Sequence, residues 1–384
     1  MTTPRWTGRV VKHLADATAD SVIYGTTENL QLLEQYYAPL SVVVRQEDEG
    51  KKIREVLEKY YKVSGKLLAQ VRLTEYGLTI NEERVYTSAP VQAGEVVRLR
   101  MEREESTDIL PQEMPLEIIY EDDYLLIVNK PAGIVVHPTH GHYTNTLANG
   151  VVHYWKSKGE RFRFRPIHRL DEETSGIVAI AKNGFIHQQL SEQMQQDGFD
   201  KQYVAFVYGV PSPATALIDA PIDRDKAQPH LRVVCKDGEG YPSQTEYTVL
   251  ESVEMSRVTS ELSSLKSESS FEKLEESEWL SIEQQNDHQN DAVSLVRLKL
   301  YTGRTHQIRV HMSSIGHPLV GDKFYCDPTV QIEHIEQLIT RHALHAEKLA
   351  FTHPITKQYM EWTAAMPADF EQLQIVMKKG NNYD

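Results

Sequence analysis

Two apolar runs in the second half of the chain constrain its fold more than any other feature. Residues 176–182 (GIVAIAK) and 203–210 (YVAFVYGV) are apolar at nearly every position, which is typical of strands covered on both faces of a sheet. A helical apolar period at 185–194 lies between them and supplies an element that can cover the sheet. The sequence therefore predicts an α+β fold, with a mixed, mostly antiparallel sheet and flanking helices.

The formal net charge of −14 argues at first against a nucleic-acid partner, because phosphate binding requires an excess of Lys and Arg. The acidity, however, belongs to two segments. Residues 101–123 and residues 251–292 each carry a net charge of −8, so the rest of the chain carries +2. A nearly neutral body can still hold a local phosphate-binding groove.

Cysteine usage limits both the compartment and the kinds of site. The chain has two cysteines, Cys235 and Cys326, which excludes a disulfide framework and leaves too few thiolates for a structural zinc site. The N-terminal region has no apolar run typical of a signal peptide, and no apolar stretch reaches the roughly 18 residues of a membrane span. We expect a cytoplasmic protein without membrane association.

Composition and periodicity divide the chain into several parts. A small αβ module is predicted at 42–102, with amphipathic helices at 53–61 and 66–73. The other divisions are an unassigned N-terminal extension at 1–41, a charged, proline-containing linker at 103–115, the main domain at 116–370 and a C-terminal tail at 371–384.

One segment of the main domain is predicted to be an insertion. Residues 251–292 include ten serines and eleven acidic residues but no glycine or proline. Strand-like alternation precedes this segment at 244–250 and follows it at 293–301. We expect a long, polar excursion that joins two neighbouring strands of the sheet.

The stretch PIHRLDEETSG, at 166–176, places a single carboxylate, Asp171, in a loop that leads into a buried strand. A side chain in such a loop is held on a rigid scaffold and can point into a cleft, as a catalytic group must. The alternative is an aspartate that caps a turn or pairs with Arg169. This stretch alone supports both interpretations equally.

Arginine and phenylalanine alternate at 161–165 (RFRFR). On a strand the three arginines, including Arg165, would share one face and form a track for phosphates. A solvated strand edge explains the pattern equally well.

The stretch TGRTHQIRVHMSSIGHP, at 302–318, predicts a helix capped by Thr305 whose apolar stripe includes Ile308, Met312 and Ile315. Arg309 lies at the border of that stripe, where it can reach an inward-facing carboxylate. Arg304 and His306 flank the helix start, which favours a phosphate. The alternative is a surface helix with ordinary charges.

Two further features allow a structural reading. Tyr203 lies in the apolar strand at 203–210, where a tyrosine is more often part of the core than of a site. His137, His140 and His142 could suggest a metal site, but no cysteine lies near them, and a proline-bounded loop is the better interpretation.

Taken together, these stretches resemble the RluA-like family of RNA pseudouridine synthases. The module at 42–102 is similar, in degenerate form, to the S4-type RNA-binding domain that often precedes the catalytic domain in this family; its recognition helix offers only Lys66 and Arg72. The segments that carry the resemblance, all in family order, are YEDDYLLIVNKPAGIVVHP (120–138), HRLDEETSG (168–176), KQYVAFVYG (201–209), TGRTHQIRVHMSSIGHPLVGDKFY (302–325) and RHALHAEKLAFTHP (341–354).

The resemblance implies a role for several residues. Asp171 matches the catalytic aspartate of the family, Tyr203 the active-site tyrosine that stacks on the target base, and Arg309 the basic residue that pairs with the aspartate. Arg169 matches the arginine that helps to hold the everted nucleotide. The residues implied to contact substrate are Arg169, His168, Arg304, His306 and Arg165.

The implied reaction is consistent with a single carboxylate. Conversion of uridine to its C5-linked isomer breaks the C1′–N1 bond, rotates the uracil and forms a C1′–C5 bond, after which the C5 proton leaves. A glycosidase would need a second carboxyl group to activate water, and no motif supplies one. We therefore expect an enzyme that flips a uridine out of structured RNA and requires neither metal nor organic cofactor.

The resemblance leaves the target open. Asp223 stands where the family usually has glycine, and residues 225–234 carry Pro229 and His230 in place of a more basic run. An S4-like module favours ribosomal RNA as the substrate of a monomeric enzyme, with transfer RNA as the other candidate. A non-catalytic RNA-binding or ribosome-assembly factor on the same fold is the alternative function.

Overall fold

The computed structural model describes residues 34–139, 141–196, 198–236, 238–254, 257, 292–327, 335 and 337–381. The chain divides into two compact units, residues 1–102 and residues 103–384. No described helix is both long enough and apolar enough to cross a membrane.

The first unit is a small antiparallel sheet with two helices. Its sheet order is β1-β4-β2-β3, and the predicted helix at 53–61 is observed with those bounds. The second helix begins at Gly65 because the Ser64 side chain accepts the Leu67 N–H and caps it. The elements are β1 (Leu40–Val43), a 3-10 turn (Gln46–Asp48), α1 (Ile53–Tyr61), α2 (Gly65–Val71), β2 (Leu78–Ile80), β3 (Glu83–Arg84) and β4 (Val96–Leu99).

The second unit is built on a nine-stranded sheet, and its α+β architecture confirms the prediction. The strand order is β5-β6-β7-β14-β8-β13-β12-β9. Strand β15 pairs with the later part of β14, and β10 and β11 form a separate hairpin. The strands are β5 (Glu117–Glu121), β6 (Leu125–Lys130), β7 (Ser175–Ala181), β8 (Phe199–Tyr208), β9 (Thr215–Asp219), β10 (Ile222–Arg224), β11 (Arg232–Val234), β12 (Gln244–Glu254), β13 (Ala292–Leu300), β14 (Leu344–Thr352) and β15 (Tyr359–Thr363). The helices are α3 (Leu147–Ser157), α4 (Gly184–Gln195), α5 (Gln307–Ser314) and α6 (Ala368–Asn381).

The two apolar runs lie in the middle of this sheet, as their composition predicts. Every residue of β7 is buried, and β8 lies between β14 and β13 with eight of its ten residues buried. The pair β7–β14 is parallel, whereas all other described strand pairs are antiparallel. A parallel pair brings the starts of β7 and β14 to the same end of the sheet. The loop that carries Asp171 leads into β7 at this end.

Of the C-terminal segment predicted as a tail at 371–384, the described residues 371–381 are instead part of the core. Residues 368–381 form α6, which buries Phe370, Leu373, Val376 and Met377 in the same cluster as Phe206 of β8. The three- and four-residue spacing of these apolar side chains produces one buried helix face. The main domain therefore extends beyond residue 370.

The segment 103–115 lies along the second unit. The Ser106 hydroxyl accepts the Phe164 N–H at 2.9 Å, and the Asn149 side-chain amide donates to the Leu110 carbonyl at 2.7 Å. Ile109 is buried. These contacts fix the path of the segment against α3 and the residues that precede β7.

Strands β12 and β13 pair as predicted, and the ladder continues past the expected start of the insertion. The final register pair is Glu254 with Ala292, so residues 251–254 belong to the sheet. The chain leaves and re-enters the sheet at this point. The rest of the predicted insertion, residues 255–256 and 258–291, lies outside the described residues.

The packing of α6 leads to a stability prediction. Phe370→Ala removes a fully buried ring and should lower the free energy of unfolding by about 3–5 kcal/mol. Ile375→Ala, on the same helix but 53% exposed, is the matched control and should change it by less than about 1 kcal/mol. Urea unfolding of the full chain measures both values, and equal effects for the two variants would contradict the observed packing.

Candidate active site

Asp171 lies in a tight loop at the entry to β7. The Thr174 N–H donates to the Asp171 carbonyl at 3.1 Å, which closes a turn, and the Asp171 side chain is 28% exposed. Gly176, two residues after Thr174, has φ +116°. It lies so close to β14 that a Cβ there would be 2.3 Å from the Ala346 carbonyl oxygen. Only glycine permits this approach, which sets the loop against the end of the sheet.

The carbonyl groups of this loop are held by a buried lysine. Lys130, the last residue of β6, is fully buried, and its Nζ donates to the carbonyl oxygens of Pro131 and Ile134 at 2.8 Å and of Glu172 at 3.0 Å. These three acceptors match the three N–H bonds of an ammonium group. Burial lowers the pKa of Lys130 to about 7. Its acceptors connect the 131–134 turn to the residue next to Asp171.

A second buried cation holds the next carbonyl. Arg341 Nη1 donates to the Glu173 carbonyl at 2.9 Å, and the same guanidinium pairs with Asp369 in the first turn of α6 through Nε at 2.8 Å and Nη2 at 3.1 Å. The loop that carries Asp171 is thus connected to both β6 and the C-terminal helix. The resulting geometry is rigid without help from a ligand.

Arg309 on α5 lies between two carboxylates. Its Nη1 is 3.6 Å from Asp171 Oδ2, while Nε and Nη2 donate to the two oxygens of Asp322 at 2.7 and 2.8 Å. Burial opposes the charge on Arg309, but the Asp322 carboxylate outweighs it and raises the pKa of the guanidinium. Arg309 therefore contacts two carboxylates where the sequence predicted one. The tighter partner of Arg309 is Asp322, which the motifs did not single out.

Asp322 is fully buried, and all of its bonding capacity is used inside the protein. Besides the Arg309 fork, its Oδ1 accepts the N–H groups of Phe324 and Tyr325 at 3.0 and 3.2 Å. The burial of Asp322 is visible only in the fold, but the sequence does place this aspartate two residues after the apolar pair Leu319 and Val320. That signal could have identified a buried carboxylate.

The start of α5 differs from the prediction. Thr305 does not cap the helix; the residue at the N-cap position is His306, in the left-handed region at φ 57°. The Gln307 side chain explains the difference, because its Oε1 accepts the Arg304 N–H at 2.9 Å and the Thr302 hydroxyl at 2.8 Å. The backbone turns at His306 to allow these bonds.

A hydrogen-bond chain orients His306 towards Asp171. The Tyr325 hydroxyl accepts the Arg232 N–H at 2.8 Å and lies 2.8 Å from His306 Nδ1. We therefore assign the hydroxyl as the donor and Nδ1 as the acceptor of the second hydrogen bond. The other ring nitrogen, Nε2, then carries the hydrogen and lies 3.9 Å from Asp171 Oδ2. Burial lowers the pKa of His306. A neutral N–H donor therefore faces the Asp171 carboxylate beside the Arg309 cation.

Tyr203 is buried on β8, 7% exposed, at the same end of the sheet. Burial, together with the negative charge of Asp171, raises the pKa of its hydroxyl. The phenol is therefore neutral at ordinary pH. The electrostatic influence of Asp171 on this hydroxyl shows that the sheet brings Tyr203 near the carboxylate.

Two other predicted site residues lie in different surroundings. Arg165 accepts the Ala181 N–H with its carbonyl at the far end of β7 from Asp171, and its side chain pairs with Glu104 at 2.5 Å. His168 Nε2 accepts the Ala179 N–H at 3.3 Å, and burial lowers its pKa to about 3. Both side chains contact the protein itself in this structure.

The remaining two predicted residues are exposed. Arg169 precedes the Asp171 loop, and Arg304 precedes α5 with its guanidinium carbon 5.6 Å from the centre of the Tyr241 ring. Both cations are available to solvent on the segments that hold Asp171 and Arg309. No group of His, Cys, Asp and Glu side chains in the described part of the chain is arranged to hold a metal ion, and His140 lies outside that part.

Two buried histidines behind the loop lead to a pH prediction. His342 Nε2 lies 2.8 Å from the Thr174 hydroxyl and His345 Nδ1 2.9 Å from the Ser175 hydroxyl, and burial lowers their pKa values to about 3 and about 4. Both rings stay neutral in the folded chain, whereas in the unfolded chain they bind protons below about pH 6.5. The free energy of unfolding should therefore fall as pH decreases from 6.5 to 4, by up to about 1.4 kcal/mol per pH unit for each ring.

Urea unfolding across this pH range tests the contribution of His342. His342→Gln should reduce the slope, while His142→Gln, which removes an exposed imidazole, is the control. An unchanged slope in the first variant would show that His342 is protonated in the folded chain.

Comparison with known proteins gives one consistent result. The family model described as RNA pseudouridylate synthase matches residues 124–314. The uncharacterized RNA pseudouridine synthase YhcT of Bacillus subtilis is 31% identical over 334 residues, which is 87% of this chain and 96% of the relative. Ribosomal large subunit pseudouridine synthase D of Zymomonas mobilis is 35% identical over 269 residues, 68% of this chain and 73% of its own. Among solved structures, human RNA pseudouridylate synthase domain containing 1 aligns over 66% of this chain and 84% of its own, with 25% identity and a TM-score of 0.48.

The family match begins one residue before β6 and ends at the last residue of α5, so it includes Asp171, Tyr203 and Arg309. The similarity to YhcT extends over nearly the whole of that protein. The chain therefore belongs to the RNA pseudouridine synthases, the isomerases that convert uridine in RNA to pseudouridine.

Proposed function

We propose that Asp171 is the catalytic carboxylate of this isomerase and that its substrate is a uridine in ribosomal RNA. The observation that carries the first part is the contrast between the two carboxylates at Arg309. Asp322 is fully buried and bonded to Arg309 and to two backbone N–H groups, whereas Asp171 is partly exposed and lies 3.6 Å from Arg309. Only Asp171 can approach a ribose.

The environment of Asp171 suits a carboxylate that must stay ionised and react. The Arg309 cation and the N–H of His306 lie 3.6 and 3.9 Å from Oδ2, which is close enough to stabilise negative charge but longer than a full hydrogen bond. Asp171 is therefore stabilised by nearby donors but can still accept a further contact. A ribose C1′ or a C2′ proton can approach the carboxylate from its open side.

One carboxylate accounts for the chemistry. Asp171 either attacks C1′, with the C1′–N1 electron pair leaving on the uracil, or removes the C2′ proton as that bond breaks. The retained uracil then rotates and its C5 bonds to C1′: on the first route the Asp171–C1′ ester bond breaks as C5 attacks, and on the second C2′ takes its proton back from Asp171. In both routes C5 then loses its proton, which restores the C5=C6 double bond, and N1 takes up a proton. Water is not a reactant, so no second carboxyl group is needed to activate it.

The surrounding residues have separate roles. Tyr203, buried and neutral, provides a ring on which the flipped uracil stacks. Arg309 pairs with Asp171, and the exposed cations Arg169 and Arg304 contact the phosphates of the everted nucleotide. His306 donates towards Asp171. His168 and Arg165, which contact the protein itself, support these segments from behind.

Several observations favour ribosomal RNA over transfer RNA. The relative from Zymomonas mobilis is named for the large ribosomal subunit, as are those from Yersinia pestis and Pseudomonas aeruginosa. The first unit folds as a compact αβ module, which we propose is S4-like and binds RNA. We further propose that the enzyme is a cytoplasmic monomer, consistent with its two free cysteines.

The central test measures tritium release from RNA labelled at uridine C5. Wild-type protein should release tritium from ribosomal RNA of cells that lack this protein, and Asp171→Asn should lower the rate at least about 1000-fold because the carboxylate that reacts is lost. Asp108→Asn, in the 103–115 segment, is the control that removes an exposed aspartate outside the site.

Each outcome has a defined meaning. No release by the wild-type protein from any cellular RNA would contradict the isomerase assignment and favour an assembly factor on this fold. Release that survives in Asp171→Asn would exclude Asp171 as the catalytic group. Release only from transfer RNA would correct the substrate.

The Arg309–Asp322 fork predicts a role for Asp322 as a positioning residue. Asp322→Asn removes the charge that holds Nε and Nη2, so Arg309 can turn and form a closer ion pair with Asp171. We expect kcat to fall about 10- to 100-fold with little change in KM. Asp48→Asn, which removes a fully buried carboxylate from the first unit, should leave kcat unchanged.

A comparison of kcat with the folded fraction separates this role from a loss of stability. In Asp322→Asn kcat should fall while the KM for RNA and the folded fraction under assay conditions stay near their wild-type values, because the change acts through Arg309 on Asp171. A variant that lost only folded protein would lower kcat in proportion to the folded fraction.

A further inference from the structure

An exposed aromatic side chain lies at the opening of the site and has no part in the roles assigned above. Phe324 is 56% exposed, although its neighbours Asp322 and Cys326 are buried. Its backbone is fixed, because the Phe324 N–H donates to Asp322 Oδ1 at 3.0 Å. A large apolar ring is thus held in solvent by the same carboxylate that positions Arg309.

One guanidinium group, that of Arg309, lies close to both the Phe324 ring and the catalytic carboxylate. The Arg309 guanidinium carbon is 5.5 Å from the centre of the Phe324 ring and 5.0 Å from that of Tyr325. The same guanidinium reaches Asp171 at 3.6 Å. A nucleotide whose ribose contacts Asp171 therefore has its chain neighbour within reach of Phe324, since one phosphate joins the two nucleotides.

A second ring completes the surface. His230, in the loop between β10 and β11, approaches the Phe324 ring with a centroid distance of 6.0 Å and an angle of 66°. The hairpin is fixed to the site by the Arg232 N–H, which donates to the Tyr325 hydroxyl. Within the loop, Asp225 Oδ1 accepts the N–H groups of Ala227 and Gln228. His230 is therefore presented by a structured loop.

We propose that Phe324 and His230 form a stacking platform for the base that adjoins the target uridine. The proposal rests on the isomerase function and specifies its substrate further: the target uridine must have an unpaired neighbour that can leave the helical stack. Aromatic rings backed by a cation bind bases of any sequence, because every base has a π-face.

The charges around the platform favour RNA over an apolar protein segment. Lys323, adjacent to Phe324, is 65% exposed, and Arg304 lies over the exposed Tyr241 ring nearby on the α5 side. Glu173, 3.8 Å from Lys323, is the nearest acidic partner of that lysine among the described residues. An apolar partner would need apolar surroundings, whereas a base requires a ring beside cations that contact phosphate.

Steady-state tritium release tests the platform on the full-length enzyme. Phe324→Ala should raise the KM for ribosomal RNA about 5- to 150-fold, the range of a lost base stack, and change kcat less than about threefold. Phe324→Trp should restore the wild-type KM, whereas Phe324→Leu, apolar but not aromatic, should behave like Phe324→Ala. Tyr359→Ala, which removes a ring that is 63% exposed on β15, is the matched control.

A binding measurement isolates the base itself. Two nine-nucleotide RNAs serve as probes, one with a single uridine between adenosines and one with abasic sites at both flanking positions. The Asp171→Asn protein should bind the first at least about fivefold more tightly, and adding Phe324→Ala should abolish the difference.

The outcomes separate this inference from the proposed function. An active wild-type enzyme with an unchanged KM in Phe324→Ala, or equal rescue by leucine and tryptophan, overturns the platform alone. The same preference for flanking adenosines with and without the Phe324 ring also overturns it. Absence of tritium release by the wild-type protein overturns the isomerase function, while the two RNA probes still report on the ring.

Discussion

The active site depends on the placement of one guanidinium between two unequal carboxylates. Arg309 is buried, and a buried cation is stable only when it is paired and hydrogen-bonded. Asp322 meets that need with two short bonds, so Asp171 is not required to neutralise Arg309 and lies at 3.6 Å. A single aspartate at this arginine would form the tight pair itself and lose reactivity. Asp322 thus takes the structural role at Arg309 and leaves Asp171 for the catalytic role that we propose.

The same principle explains how the loop of Asp171 keeps its shape. Its carbonyls face the protein interior, where each would be costly without a donor. Lys130 and Arg341 supply the donors from opposite sides, one at the end of β6 and one beside α6. Arg341 is a permanent cation, so it also adds positive potential behind the loop that carries Asp171. Strand β6, the C-terminal helix and the loop therefore form one mechanical unit, although they are far apart in sequence.

The limits of prediction from sequence follow from the range of each interaction. Strands β7 and β8 and helices α1 and α4 were predictable because their signals are local and periodic. The α5 cap was not, since Thr305 has the right chemistry but the Gln307 side chain bonds the preceding backbone instead. Asp171 was visible as a loop carboxylate, but only the fold shows that Asp322 shares its arginine. The helical tail was missed because its apolar residues make sense only against β8.

The acidity of the chain is compatible with RNA binding because the charges are local. Glu104, from one of the two acidic segments, lies 2.5 Å from Arg165 and 3.7 Å from Arg163, so part of the basic track at 161–165 is neutralised within the protein. The exposed cations at Arg169 and Arg304 lie on the segments that hold Asp171 and Arg309. Because exposed charges are screened beyond about 8–10 Å, phosphate attraction is set by these nearby cations and not by the net charge of −14. On the proposed mechanism, RNA affinity is therefore concentrated where the nucleotide is everted, and this arrangement favours a specific substrate over general binding to nucleic acid.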